Sequence, residues 1–148
     1  MTNVEMRPMR EGDLEIVSRI YASRVGSPPP VSFSTRVRRL FESPDASVAV
    51  VAESGGEVIG YVVGEVRSWE FGSEPAGWIF GVSVATEHEG RGIARSLVAR
   101  AVTRLRVLGA RTVRTMAAND DVAVLRLFRN AGFVAGPYTQ LELGEEDE

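Results

Sequence analysis

Between Val82 and Ala94 the chain reads Val-Ser-Val-Ala-Thr-Glu-His-Glu-Gly-Arg-Gly-Ile-Ala. An apolar strand passes into a turn bearing Gly90 and Gly92, and a long amphipathic stretch begins directly behind it. Glycines let a backbone turn sharply and aim several N–H groups at one point. A helix starting there adds its positive dipole end and its unpaired first-turn amides. The combination suits a phosphate or pyrophosphate. An ordinary strand-to-helix turn is the plain alternative. Two nucleotide patterns do not fit. A dinucleotide fingerprint needs a third glycine where Arg95 stands and an acidic residue closing the next strand, which is absent. A P-loop needs Gly-Lys-Ser/Thr, and all 17 basic residues here are arginine.

Other chemistries are narrowed by what the chain contains. With no cysteine there is no thiolate nucleophile, disulfide framework or Cys-ligated metal. A single histidine, His88, speaks against a His-based metal site or catalytic triad. Four of the 20 acidic residues form the tail Glu145-Glu146-Asp147-Glu148, and without them 17 basic face 16 acidic residues. That balance carries no nucleic-acid footprint. No apolar run approaches a membrane span and no signal-peptide core is read, so the expected compartment is the cytoplasm.

The elements that must position the turn follow from periodicity. The 148 residues are expected to form one domain over 1–143, with 144–148 as an acidic tail. Asn3 to Arg7 alternates as a short strand, and Asp13 is placed to cap a helix over Leu14 to Val25. Gly26 through Pro30 breaks that helix, and a second follows over Ser34 to Glu42. Three strands come next as a meander: Ser47 to Glu53, Glu57 to Arg67 and Gly77 to Val84. Gly92 to Leu108 carries a helical apolar stripe that Gly109 terminates. A strand over Arg111 to Ala117, a helix over Asp121 to Asn130 and a last strand or hairpin arm over Phe133 to Leu143 complete the order.

The turn resembles the acyl-CoA loop of the GNAT superfamily of N-acetyltransferases, whose Gln/Arg-x-x-Gly-x-Gly/Ala signature falls on Glu89 to Ala94. Met6-Arg7-Pro8 with Asp13-Leu14 is similar to that family's opening. Asp121 and Leu127 through Phe133 are similar to its Asn…Leu-Tyr-x-x-x-Gly-Phe helix, and Gly136-Pro137-Tyr138 to a common ending. The order and spacing of these pieces span nearly the whole chain. The implied fold is α/β (α+β): a mixed, mostly antiparallel sheet of six to seven strands flanked by about four helices.

The resemblance also implies chemistry. Acetyl-CoA would be the co-substrate, with no metal, and the acceptor a small-molecule or peptide amine. Its pyrophosphate would rest on backbone amides of Gly90, Arg91, Gly92, Ile93 and Ala94, with Arg95 and Ser96 close by. Its pantetheine arm would pair with Val82, Ser83 and Val84 like an added strand. Gly81 within that strand signals a bulge or a close approach.

Three positions depart from the pattern. Glu89 stands for Gln or Arg, and Asp121 for Asn at a contact to the arm. Phe128 stands where a tyrosine commonly protonates the departing thiolate, and Tyr138 is a conceivable substitute. Direct attack by a neutral amine needs a base, for which Glu65, Glu70 and Glu74 are candidates, although a plain surface carboxylate is the more ordinary reading of each. Those glutamates would suit a cationic amine, while Tyr21, Phe33, Trp69, Phe71, Trp78 and Tyr138 are pocket wall or core. A homodimer is implied by the family alone. Two other functions share the features: a non-catalytic acyl-CoA sensor, and a dimeric interaction domain without ligand.

Overall fold

The computed structural model describes residues 3–26 and 31–145. The triple-proline loop and residues 146–148 of the acidic tail lie outside the described residues. Nine regular elements follow in chain order. They are β1 (Val4–Pro8), α1 (Leu14–Val25), α2 (Val31–Leu40), β2 (Ser47–Ser54), β3 (Glu57–Arg67), β4 (Ala76–Val84), α3 (Ile93–Val107), β5 (Thr112–Thr115) and α4 (Val122–Asn130).

One sheet runs in the order β1-β2-β3-β4-β5. Its first three pairings are antiparallel, β2–β3 and β3–β4 through short connections and β1–β2 across the α1–α2 segment, and β4–β5 is parallel. A parallel pair needs a long crossover, which α3 provides. The apolar stripe of α3 is thereby laid on the sheet. Leu97, Val98, Ala101 and Leu105 are buried against Val48, Val50, Val62 and Ile79, and Phe128 of α4 closes this layer. On the other face, Leu14, Val17 and Ile20 of α1 and Val37 and Leu40 of α2 cover Val51, Tyr61 and Val63. Both sheet faces are therefore covered, which explains why β2 and β3 read as near-continuous apolar runs.

Asp13 precedes α1 as the sequence places it, yet its carboxylate makes no capping bond to the helix. It accepts the Arg7 guanidinium in two bonds of 2.8 and 2.9 Å and the Arg10 N–H at 2.7 Å. A charge-assisted pair of bonds outweighs a single helix amide. Arg7 also donates to Glu53 at 3.0 Å, so one guanidinium ties β1, the turn before α1, and β2.

The expected strand over Phe133 to Leu143 is not formed: those residues have no regular structure and no ladder partner among the described residues. The ring of Phe133 packs edge-on at 5.1 Å from Phe128 and that of Tyr138 stacks on Arg114, so side chains hold the segment down. Pro137 removes one donor that a ladder would use. Among the described residues the sheet accordingly has five strands rather than six to seven, within the expected mixed α/β class and with four α-helices.

Candidate functional site

β4 and β5 separate at Ile79. Their pairing runs from Ala76–Thr112 to Ile79–Thr115 and stops there, where the Thr115 hydroxyl donates to the Ile79 carbonyl at 2.8 Å. Beyond this point Phe80 to Val84 has a neighbour on one side only. The bulge that Gly81 signals lies at the same place. Val63 faces Gly81 and Gly64 faces Ile79, leaving Phe80 as the extra residue. Gly64 is required there, because a Cβ would sit 2.7 Å from the Trp78 carbonyl oxygen.

Ala85 donates its N–H to Ile59 of β3 at 2.8 Å. Bonded pairs alternate along an antiparallel ladder, so Ser83 also faces β3 while Val82 and Val84 turn their backbone groups to the open edge. The Ser83 side chain is buried on the Tyr61 face, and its hydroxyl has no partner among the described residues. Burial also pushes the neighbouring Tyr61 hydroxyl well above the ordinary phenol range.

Past Val84 the chain makes a short 3-10 turn, Thr86–His88, and then the glycine turn. Gly92 precedes α3 with φ 76°, a left-handed conformation that a side chain resists, and a Cβ there would project into open space. Gly90 is left-handed as well, at φ 79°. Ser96 is the first α3 residue whose N–H finds a backbone acceptor, Gly92. The N–H groups of Gly90, Arg91, Gly92, Ile93, Ala94 and Arg95 have no protein acceptor among the described residues. Six free donors at a helix N-terminus, with room where side chains would otherwise stand, fit a pyrophosphate. Arg91 adds a cation there and donates to the Nδ1 of His88 at 2.8 Å.

A cleft of about 430 Å³ opens beside this turn. It brings together Val84, Glu89 and Asp121 with Ile20, Ser23, Arg24, Thr86 and Ala123. Asp121 caps α4 by accepting the Val124 N–H at 3.2 Å, and its second oxygen lies 3.5 Å from Arg24. Arg24 and Thr86 were not legible as site residues; only the folded position of α1 brings Arg24 to the cleft.

Other expected residues lie elsewhere. Phe128 is buried in the α3-side core. Glu65 is half-buried and bound through both oxygens by Arg36, at 2.6 and 3.2 Å. Glu70 is bound by Arg67 at 2.6 and 2.7 Å, and Glu74 lies 3.4 Å from Arg111. Tyr138 is half-exposed, with its ring 4.7 Å from the Arg114 guanidinium. Of the aromatic set, Tyr21 stacks on Phe33 at 4.1 Å beside Tyr61, while Trp69 and Phe71 project outward from left-handed backbone.

A mixed sheet whose fourth and fifth strands part beside a row of free amides is an α/β architecture with an anion-binding turn at the split. The model of the Acetyltransferase (GNAT) family matches residues 17–133, and the chain belongs to that family. It is an acetyl-CoA-dependent N-acetyltransferase. An acetyltransferase of Sodalis glossinidius (strain morsitans) is 29% identical over 129 residues, covering 84% of this chain and 83% of that protein. Among solved structures, the aminoglycoside N-acetyltransferase AAC(6')-Iy in complex with CoA superposes with a TM-score of 0.83 at 17% identity, over 97% of this chain and 96% of that one. The ribosomal-protein-alanine N-acetyltransferase of Brucella melitensis biovar Abortus 2308 gives 0.76 at 16% identity, over 97% and 100%. At these identities the superpositions establish the fold. No helix among the described residues is long and apolar enough to cross a membrane.

Proposed function

We propose that this acetyltransferase passes the acetyl group of acetyl-CoA directly to the amine of a small molecule, without a tyrosine general acid. The observation that carries the reading is the run of six unpaired amides, Gly90 to Arg95, leading onto the free edge of β4. The amides of the turn would hold the pyrophosphate, Arg91 and Arg95 would offset the charge of Glu89, and Val82 and Val84 would pair with the pantetheine arm. When bound, acetyl-CoA supplies an acetyl thioester, an acyl group on a fair leaving group.

The chain's own residues set the rest. Free edge amides near Val82 and Val84 would stabilise a developing oxyanion. Phe128 has no proton to give, so water protonates the leaving sulfur. General-acid help is typically worth ~10²–10⁴-fold, so the reaction runs slower but does not stop. The acceptor ammonium must first lose its proton, and water takes it while Arg36 holds both oxygens of Glu65, the candidate base. The apolar side chains of Val134, Leu141 and Leu143, each more than four-fifths exposed, support a homodimer reading. The same account reads the chain as cytoplasmic.

The test is thioester cleavage from acetyl-CoA across a panel of amines, alongside CoA calorimetry. Turnover with at least one amine is expected, and Phe128→Tyr is expected to raise it. CoA binding without turnover on any amine would turn the reading into a sensor; no CoA binding would overturn it entirely.

A further inference from the structure

The sheet face beneath α2 carries an arginine–aromatic wall where the acetyl group would arrive. Phe80, the bulged residue at the split, has the Arg36 guanidinium 4.2 Å from its ring centre. Trp78, two residues back along β4, lies between Arg67 at 5.0 Å and Arg114 at 6.0 Å. The three arginines are not equivalent. Arg36 spends both terminal nitrogens on Glu65, and Arg67 spends two on Glu70. Arg114 has no carboxylate partner among the described residues. The Trp78 and Tyr138 rings lie 6.0 and 4.7 Å from its Cζ, and one N–H goes to the Ser73 hydroxyl at 3.1 Å.

A guanidinium has five N–H donors, and stacking uses its faces rather than its edge. Arg114 thus sits beside two aromatic rings with most of its N–H donors unspent, and such a guanidinium can receive a carboxylate through two parallel bonds. The glutamates that would attract a polycation are already neutralised by Arg36, Arg67 and Arg111. Arg114 faces Trp78 in the β4–β5 register, two strand positions from Phe80, or about 7 Å at the usual rise per residue. That span matches a small molecule with an amine at one end and an acid at the other.

Building on the acetyltransferase reading, we propose that the acceptor is a small primary amine bearing a carboxylate. The carboxylate meets Arg114, the apolar body lies along Phe80, and the amine reaches the split between β4 and β5. A polycationic amino sugar would leave Arg114 opposed by like charge.

The test uses a matched pair, 4-(aminomethyl)benzoate and 4-(aminomethyl)benzamide, with spermidine as the polycation. The benzoate is expected to exceed the benzamide in kcat/KM by roughly 10–100-fold, the worth of a charged hydrogen-bonded pair. Arg114→Gln is expected to bring that ratio to about one with CoA affinity unchanged, and Arg114→Lys to restore part of it. Equal or better use of the benzamide or spermidine, or a preference that survives Arg114→Gln, overturns the proposal while leaving acetyl transfer intact. Calorimetric titration of the benzoate into the CoA complex reads the same contact without turnover, and no carboxylate-dependent binding there also overturns it. If CoA itself does not bind, the acetyltransferase reading falls, and benzoate binding to the free protein still reports on Arg114.

Discussion

Arg36 of α2 closes on Glu65 of β3 through both carboxylate oxygens, with N–O distances of 2.6 and 3.2 Å. The pair joins the helical layer to the sheet where β4 bulges, and the guanidinium also covers Phe80. A carboxylate held this way serves as a base only after giving up its partner. Glu65→Gln keeps the shape of the side chain but replaces one acceptor oxygen with an NH2 donor and cannot take a proton.

On this account Glu65→Gln lowers kcat/KM by less than about 10-fold and leaves the acid limb of the pH–rate profile in place. A loss of ~10²–10⁴-fold, with that limb abolished, would make Glu65 the base after all. Steady-state rates across pH decide between the two.

Glu89 is exposed on the rim of the cleft, beside six amides that would face phosphate. A negative charge there opposes an anionic ligand and is screened by salt. Glu89→Gln is therefore expected to tighten CoA binding by roughly 2–10-fold at low ionic strength, with the gain shrinking as salt rises. Calorimetric titrations at two salt concentrations read this. Weaker binding in the variant would mean that Glu89 contacts the ligand favourably.

The Arg7–Asp13 pair bears on stability rather than catalysis. Hydrogen bonding to the Arg7 guanidinium, partly opposed by burial, holds the Asp13 carboxyl below its ordinary value of 3.8. A depressed carboxyl stabilises the fold above its unfolded pKa, and that contribution disappears as pH falls through the folded value. Asp13→Asn is thus expected to cost about 2 kcal/mol at neutral pH. The gap to the parent should close progressively as the pH falls below 3.8, the ordinary value of the carboxyl. Urea unfolding at several pH values measures it; a gap that persists in acid would assign the cost to packing.

What the sequence revealed and concealed divides along physical lines. α1 begins and ends at Leu14 and Val25 as periodicity places it, and β3 at Glu57 and Arg67, because buried stripes and glycine turns are local signals. The bulge near Gly81 was legible for the same reason. The strand expected over Phe133 to Leu143 was not formed, since alternation says nothing about whether an edge is there to receive it. Asp13 was readable as a residue before a helix, but not as the partner of Arg7. At the site, Gly90 and Gly92 announce the turn because φ near +78° is a backbone demand that glycine alone meets easily. Glu65, Glu70 and Glu74 read as a basic-amine pocket until folding sets an arginine against each. Long-range ion pairs leave no periodic trace.

The central claim is that the amides of Gly90 to Arg95 and the free edge at Val82 and Val84 receive CoA. Amide chemical shifts of the 15N-labelled chain during titration with CoA test it most directly. The account predicts that the largest changes fall on Gly90–Arg95, with a second set at Val82 and Val84, and that pantetheine alone moves only the second set. Saturating shifts centred elsewhere, or no shifts at either set, would contradict it.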